Sequence, residues 1–173
     1  MITVQHSILS VTGELSHHTS EVDWDTAIGP EGRARVRLDP RFRAAAWVND
    51  CGALLPDRYP RTIEGSCLLA ALGAAHRPYF GPIVFTGWKP ENTPLGLSEI
   101  VPLAMPSFAL DDIYGDVRRA LHEELPSGAT PEAVAWCDAV RLHAEHVRTA
   151  PTPGITAVGT GPDMNDFLFG GTS

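Results

Sequence analysis

Trp47 to Gly87 reads WVNDCGALLPDRYPRTIEGSCLLAALGAAHRPYFGPIVFTG, and its punctuation decides the fold. Apolar Trp47 and Val48 run into an Asn49-Asp50-Cys51-Gly52 turn, a combination that tolerates tight backbone reversal. Ile63, Cys67, Leu68, Ala71 and Leu72 then recur at i, i+4, i+5 and i+8, which predicts a short helix with one apolar stripe. Gly73 follows as the residue that ends it. Gly81-Pro82 opens Ile83 to Thr86, a continuous apolar run that reads as a central strand buried on both faces.

Upstream, Ile2 to Val11 is β-branched with partial alternation and predicts a first strand, and Trp24 and Ile28 are spaced for a short helix over Glu21 to Ile28. Gly29-Pro30-Glu31-Gly32 breaks the chain. Beyond it Arg33, Arg35 and Arg37 alternate with Ala34, Val36 and Leu38, as in a strand with one wet face. Asp39-Pro40 turns the chain, and Phe42 to Val48 returns as the partner, so 33–48 forms a β-hairpin.

Downstream, Pro90, Pro94, Pro102 and Pro106 make 88–109 a connector with at most a short strand near Ile100 to Leu103. Asp111 and Asp112 mark the start of a helix carrying Ile113, Val117, Leu121 and Leu125, stopped by Pro126. Thr130-Pro131-Glu132 combines an N-cap with proline at the first helical position and opens a second helix to about Val147. Its apolar face is Val134, Cys137, Val140, Ala144 and Val147. Residues 150–173, rich in Pro, Gly and Thr, read as a flexible tail.

The chain has 173 residues, 43% hydrophobic and 20% charged, enough for one domain with a real core. No apolar run is long enough to span a bilayer, and the N-terminus has neither a cationic start nor a small-residue cleavage site, so a cytoplasmic protein without membrane contact is expected. Cys51, Cys67 and Cys137 are widely separated and form no CxxC pair, which predicts reduced thiols, with Cys67 and Cys137 on apolar helix faces. The net charge of −8 disfavours a protein that coats nucleic acid. That charge is divided: 33–61 holds seven Arg against three Asp, a balance of +4, whereas 90–173 holds four Arg against twelve acids, a balance of −8.

Arg33, Arg35, Arg37, Arg41, Arg43, Arg58 and Arg61 are therefore the candidate anion- or partner-binding residues, set against the plainer reading of a solvated strand face. No aromatic residue interleaves with them to suggest a stacking surface for single strands. In the tail, Met164, Phe167, Leu168 and Phe169 stand among acids as a short linear motif that can dock on a partner or fold back. His17-His18, read as part of a loop near Glu21, Asp23 and Asp25, and the His143/His146 pair beside Glu145 lack the convergence that a metal site needs, so no metal or cofactor is expected. Gly65-Ser66-Cys67 at a helix start is the one local nucleophile candidate, and it reads more simply as a close-packed helix turn. Neither a P-loop nor a dinucleotide-binding glycine motif occurs.

Val48-Asn49-Asp50 with Gly52 and Leu54, then Gly81-Pro82-Ile83-Val84-Phe85-Thr86-Gly87, resembles the phage, plasmid and bacterial family called domain of unknown function 3846, over about residues 20–88. The family's Pro-Asn before the helix is replaced here by Arg58-Tyr59-Pro60-Arg61. The resemblance implies a small α+β domain from a mobile element or its host, and it carries no established activity.

The expected fold is thus α+β: a small mixed or antiparallel sheet with a β-hairpin and a packed helix over 1–88, a connector and helical pair packed on it over 89–149, and the tail. The expected function is a non-enzymatic interaction or accessory protein with a protein partner. Nucleic-acid binding by the Arg hairpin is the alternative, a small Cys or His enzyme the second, and the C-terminal helices offer a surface for self-association.

Overall fold

Strand β5 (Ile83–Trp88) organises the molecule in the computed structural model, which describes residues 3–88, 100–101 and 107–151. β5 pairs antiparallel with β1 (Val4–Leu9) on one side and with β4 (Ala44–Asn49) on the other. Outer strands β2 (Leu15–Ser20) and β3 (Arg33–Val36) complete the order β2-β1-β5-β4-β3, and β6 (Ile100–Val101) pairs with the end of β5. The class is α+β, with a C-terminal helical region. The continuous apolar run is central because both of its faces are covered.

Side-chain alternation sorts the core into two layers. Ile83 and Phe85 point to one face with Leu9, Val36, Ala44, Ala46 and Val48, where they meet Leu68, Leu69 and Leu72 from helix α2 (Ile63–Ala71) and the residue after it, and Leu110 and Tyr114 of α3 (Ser107–His122). Phe85 is fully buried, which contributes about 1.5–3 kcal/mol of transfer free energy. Val84 points to the other face with Val4, Val22, Ile28, Ala45 and Trp47, under the single turn of α1 (Trp24–Ile28). Helix α4 (Pro131–Thr149) lies outside α2 and α3 and closes a third cluster of Cys67, Val117, Ala120, Cys137, Val140 and Ala144.

Local chemistry accounts for the helix ends. The Thr62 hydroxyl accepts from the Gly65 amide at the start of α2, and Thr130 does the same for Ala133 at the start of α4. Gly65 is required by contact: a Cβ there would sit 2.8 Å from Ile83 Cδ1, so its absence lets α2 lie directly on β5. Ser66, beside it, donates to the Thr62 carbonyl and accepts from the Tyr79 amide, a packing role.

Three expectations are corrected. His17 and His18 lie on β2, not in a loop; β2 is polar on both faces and is held by its ladder to β1, so it has no apolar period to betray it. Helix α3 begins at Ser107, directly after Pro106, so Asp111 and Asp112 fall in its second turn and not at its start. It ends at His122, leaving Leu125 in the link to α4, where it still packs against the third cluster.

Candidate functional site

On outer strand β3, Arg33 and Arg35 project to the face that carries Trp47, their registers lying opposite Asn49 and Trp47 of β4. Both are exposed, as is Arg37, which follows in the same alternation. Arg33 places its guanidinium 4.3 Å from the Trp24 ring centroid and 5.9 Å from that of Trp47, and the two indoles meet edge to face at 5.5 Å. Trp47 is itself fixed from below, because its Nε1–H donates to the buried Thr86 hydroxyl at 2.8 Å. Aromatic rings therefore do stand beside the Arg row, contrary to the sequence reading. They come from α1 and β4, and strand alternation within 33–37 could not reveal them.

Partial desolvation, and after it the crowding of like charge, defines the electrostatics of this edge. Burial, and then the neighbouring Arg37 charge, lower the Arg35 guanidinium pKa from its ordinary value. An anion placed over the row would relieve that repulsion.

The other candidate arginines do not join this edge. Arg41 pairs with Asp39 in the 3-10 turn between β3 and β4 and covers the Phe42 ring, while Arg43 occupies a left-handed conformation at that turn's end. Arg58 pairs with Glu31 at 2.5 Å. Arg61, half-buried, donates to the Val147 carbonyl at 2.5 Å and reaches that of Arg148, so it ties the end of α4 to the segment before α2. The tail residues Met164, Phe167, Leu168 and Phe169 lie outside the described residues.

Two carboxylate hubs escaped the sequence reading because their partners are far apart in the chain. Glu31 accepts from the Tyr59 hydroxyl, from Asn49 Nδ2 and from Arg58, and the Tyr59 bond first among these holds its carboxyl below the ordinary range. Asn49 also donates to the Ile28 carbonyl and accepts from the Cys51 amide, so the Asn-Asp-Cys-Gly turn is locked onto the end of α1. At Glu64, burial alone would raise the carboxyl, but bonds from Tyr114 and His122 and the charge of Arg118 outweigh it and hold it low. The Tyr114 hydroxyl also lies 2.6 Å from the Gly13 carbonyl, which joins the β1–β2 turn to α2 and α3.

Ser7, His17 and Asp111 form a hydrogen-bonded chain, Ser7 Oγ to His17 Nδ1 at 2.7 Å and His17 Nε2 to Asp111 at 2.9 Å. Its composition is that of a nucleophile relay. Ser7, however, is 1% exposed, so its oxygen is closed to substrate and the chain fastens α3 to the sheet. Cys67 is buried, its thiol donating to the Val140 carbonyl, and burial pushes its pKa up to about 11, the opposite of nucleophile activation. Among the described residues, no group of three or more His, Cys, Asp or Glu side chains is arranged to hold a metal ion, and no helix is long and apolar enough to cross a membrane.

Comparison with protein-family models, with curated proteins and with solved structures finds no match to this chain.

Proposed function

We propose that the protein is an interaction module that takes an acidic, extended segment of a partner protein along the outer edge of β3. The observation that carries this reading is the row of Arg33 and Arg35 on an outer strand, with Arg33 stacked on Trp24 beside Trp47. An outer strand offers main-chain pairing to a visiting strand, and alternate acidic side chains of that visitor would fall beside successive arginines on the same face. The family resemblance carries no activity that bears on such a module. Its three free cysteines suit a reducing, cytoplasmic setting.

Fluorescence anisotropy with a labelled peptide of alternating Glu and Val tests the reading, using the Lys-for-Glu peptide as control. Binding of the acidic peptide alone, weakened about tenfold or more in Arg33→Glu/Arg35→Glu, is the expected result. Absence of binding, or binding indifferent to the double substitution, overturns it.

A second reading, single-stranded nucleic acid, draws on the same guanidinium–indole stack, since such planes also accept bases. The net charge of −8 works against it. Tighter binding of labelled oligo-dT than of the acidic peptide, with a steep salt dependence, would move the assignment there. Self-association through the C-terminal helices would use Val134, Trp136 and Leu142, which α4 exposes to solvent, and sedimentation of the full chain against a Leu142→Glu variant tests it.

A further inference from the structure

Three histidines meet where α4 seats on α2. The His143 ring lies 5.1 Å from that of His76, in the segment after α2, and 6.3 Å from that of His146, one turn along α4. His143 hydrogen-bonds the Ser66 backbone of α2, and its Nε2 is buried without a hydrogen-bond partner among the described residues. In the neutral ring one nitrogen donates to the Ser66 carbonyl, so Nε2 bears the lone pair, and a bare acceptor is tolerable there. A proton added at Nε2 would create a buried N–H with no acceptor among the described residues, in a ring that lies against two other imidazoles.

Among the described residues, no neighbouring acid is placed to neutralise that charge. From α2, Cys67 is an un-ionised thiol, and Glu64 is engaged by Tyr114, His122 and Arg118 of α3. On α4, Glu145 pairs with Arg148. Beside His76, Arg77 adds a further cation, lying over the Tyr79 ring, and Arg61 brings another to the Val147 carbonyl.

We propose that the His76–His143–His146 array is an acid-sensitive latch, which holds α4 on α2 while His143 is neutral and releases the helix when His143 is protonated. The sign follows from linkage. Burial, and then the His76 charge, lower the His143 pKa from its ordinary 6.5, against the Ser66 bond. The released state therefore binds the proton more readily, so the seat is at full strength above the ordinary value and weakens as pH falls below it.

Hydrogen exchange of the full chain, corrected for intrinsic rates, tests the latch at about pH 7.5 and about pH 5. Opening of α4 peptides should rise about tenfold relative to β5 peptides on acidification in the native chain, and stay within about twofold in His143→Gln, whose amide can still donate to Ser66. Equal acid response in β5 and α4, or an undiminished response in His143→Gln, overturns the proposal. Should His143→Gln lose β5 protection already at neutral pH, histidine NMR of the native chain and of His76→Gln decides. A His143 that titrates below the ordinary value, and rises when His76 is removed, supports the latch; one titrating at or above it overturns the latch.

Discussion

The two faces of the sheet are built from one alternation and end differently. Toward α2 and α3, Ile83 and Phe85 meet Leu68, Leu69, Leu72 and Leu110, and the layer is closed mainly by aliphatic side chains, with Tyr79 and Tyr114 among them. Toward α1, a helix of five residues covers Val84, Ala45 and Trp47, and amphipathic rings finish the job: Trp47 on Thr86, His6 stacked on His18 at 5.2 Å, and Arg33 on Trp24. An aliphatic seal spends all its surface on the core. A seal of indoles and guanidinium groups keeps a polar or charged end at the surface, so the α1 face is where recognition can be added without opening the core.

Substitution at adjacent positions of β5 tests that difference most severely. Phe85→Ala should cost about 3–5 kcal/mol in urea unfolding, because the helices above it cannot collapse into the void. Val84→Ala, on the α1 face, should cost about 2 kcal/mol. Equal losses would erase the distinction between the faces. Trp47→Phe is smaller: it keeps most of the packing but leaves the buried Thr86 hydroxyl without its donor, at about 1–2 kcal/mol in the same assay.

Acid titration sharpens the comparison at the margins of both layers. Glu31 and Glu64 have folded-state pKa values below the ordinary 4.5, so each contributes stability that is present above that value and is lost as pH falls through the folded value. Glu64→Gln should flatten the fall of the thermal midpoint between about pH 5 and about pH 3, and an unchanged slope would show that the hub under α3 does not hold the helix. The smallest effect is expected at the surface. Arg33→Ala should cost only about 0.5–1 kcal/mol of stability while weakening the acidic peptide, and a larger loss would make the Arg–Trp stack a part of the core.

Much of the framework was legible. Helix α2 showed its extent and its closing Gly73, and β5 announced itself as central because a run of consecutive apolar residues such as Ile83 to Phe85 fits a strand covered on both sides. The polar β2 was invisible since its stability comes from hydrogen bonds to β1, which leave no mark in hydropathy. The start of α3 was hidden because four prolines made the whole segment look irregular, although the last of them, Pro106, stands at the boundary where proline is harmless to a following helix. Of the seven arginines grouped by charge, the structure keeps Arg33 and Arg35 on one face and commits Arg41, Arg58 and Arg61 to local bonds.

By itself the sequence determined what depends on neighbours along the chain: caps, turns, the amphipathic periods of α3 and α4, and the alternation that puts arginine on one side of β3. Tertiary structure decided what depends on contacts across the chain. Trp24 reaches Arg33 only because α1 folds over β4, His76 reaches His143 only because α4 seats on α2, and His17, bonded to Ser7, reaches Asp111 only because α3 comes up to β2. A residue's spacing fixes the face it occupies, but the charge and burial it experiences are set by whichever element arrives on that face.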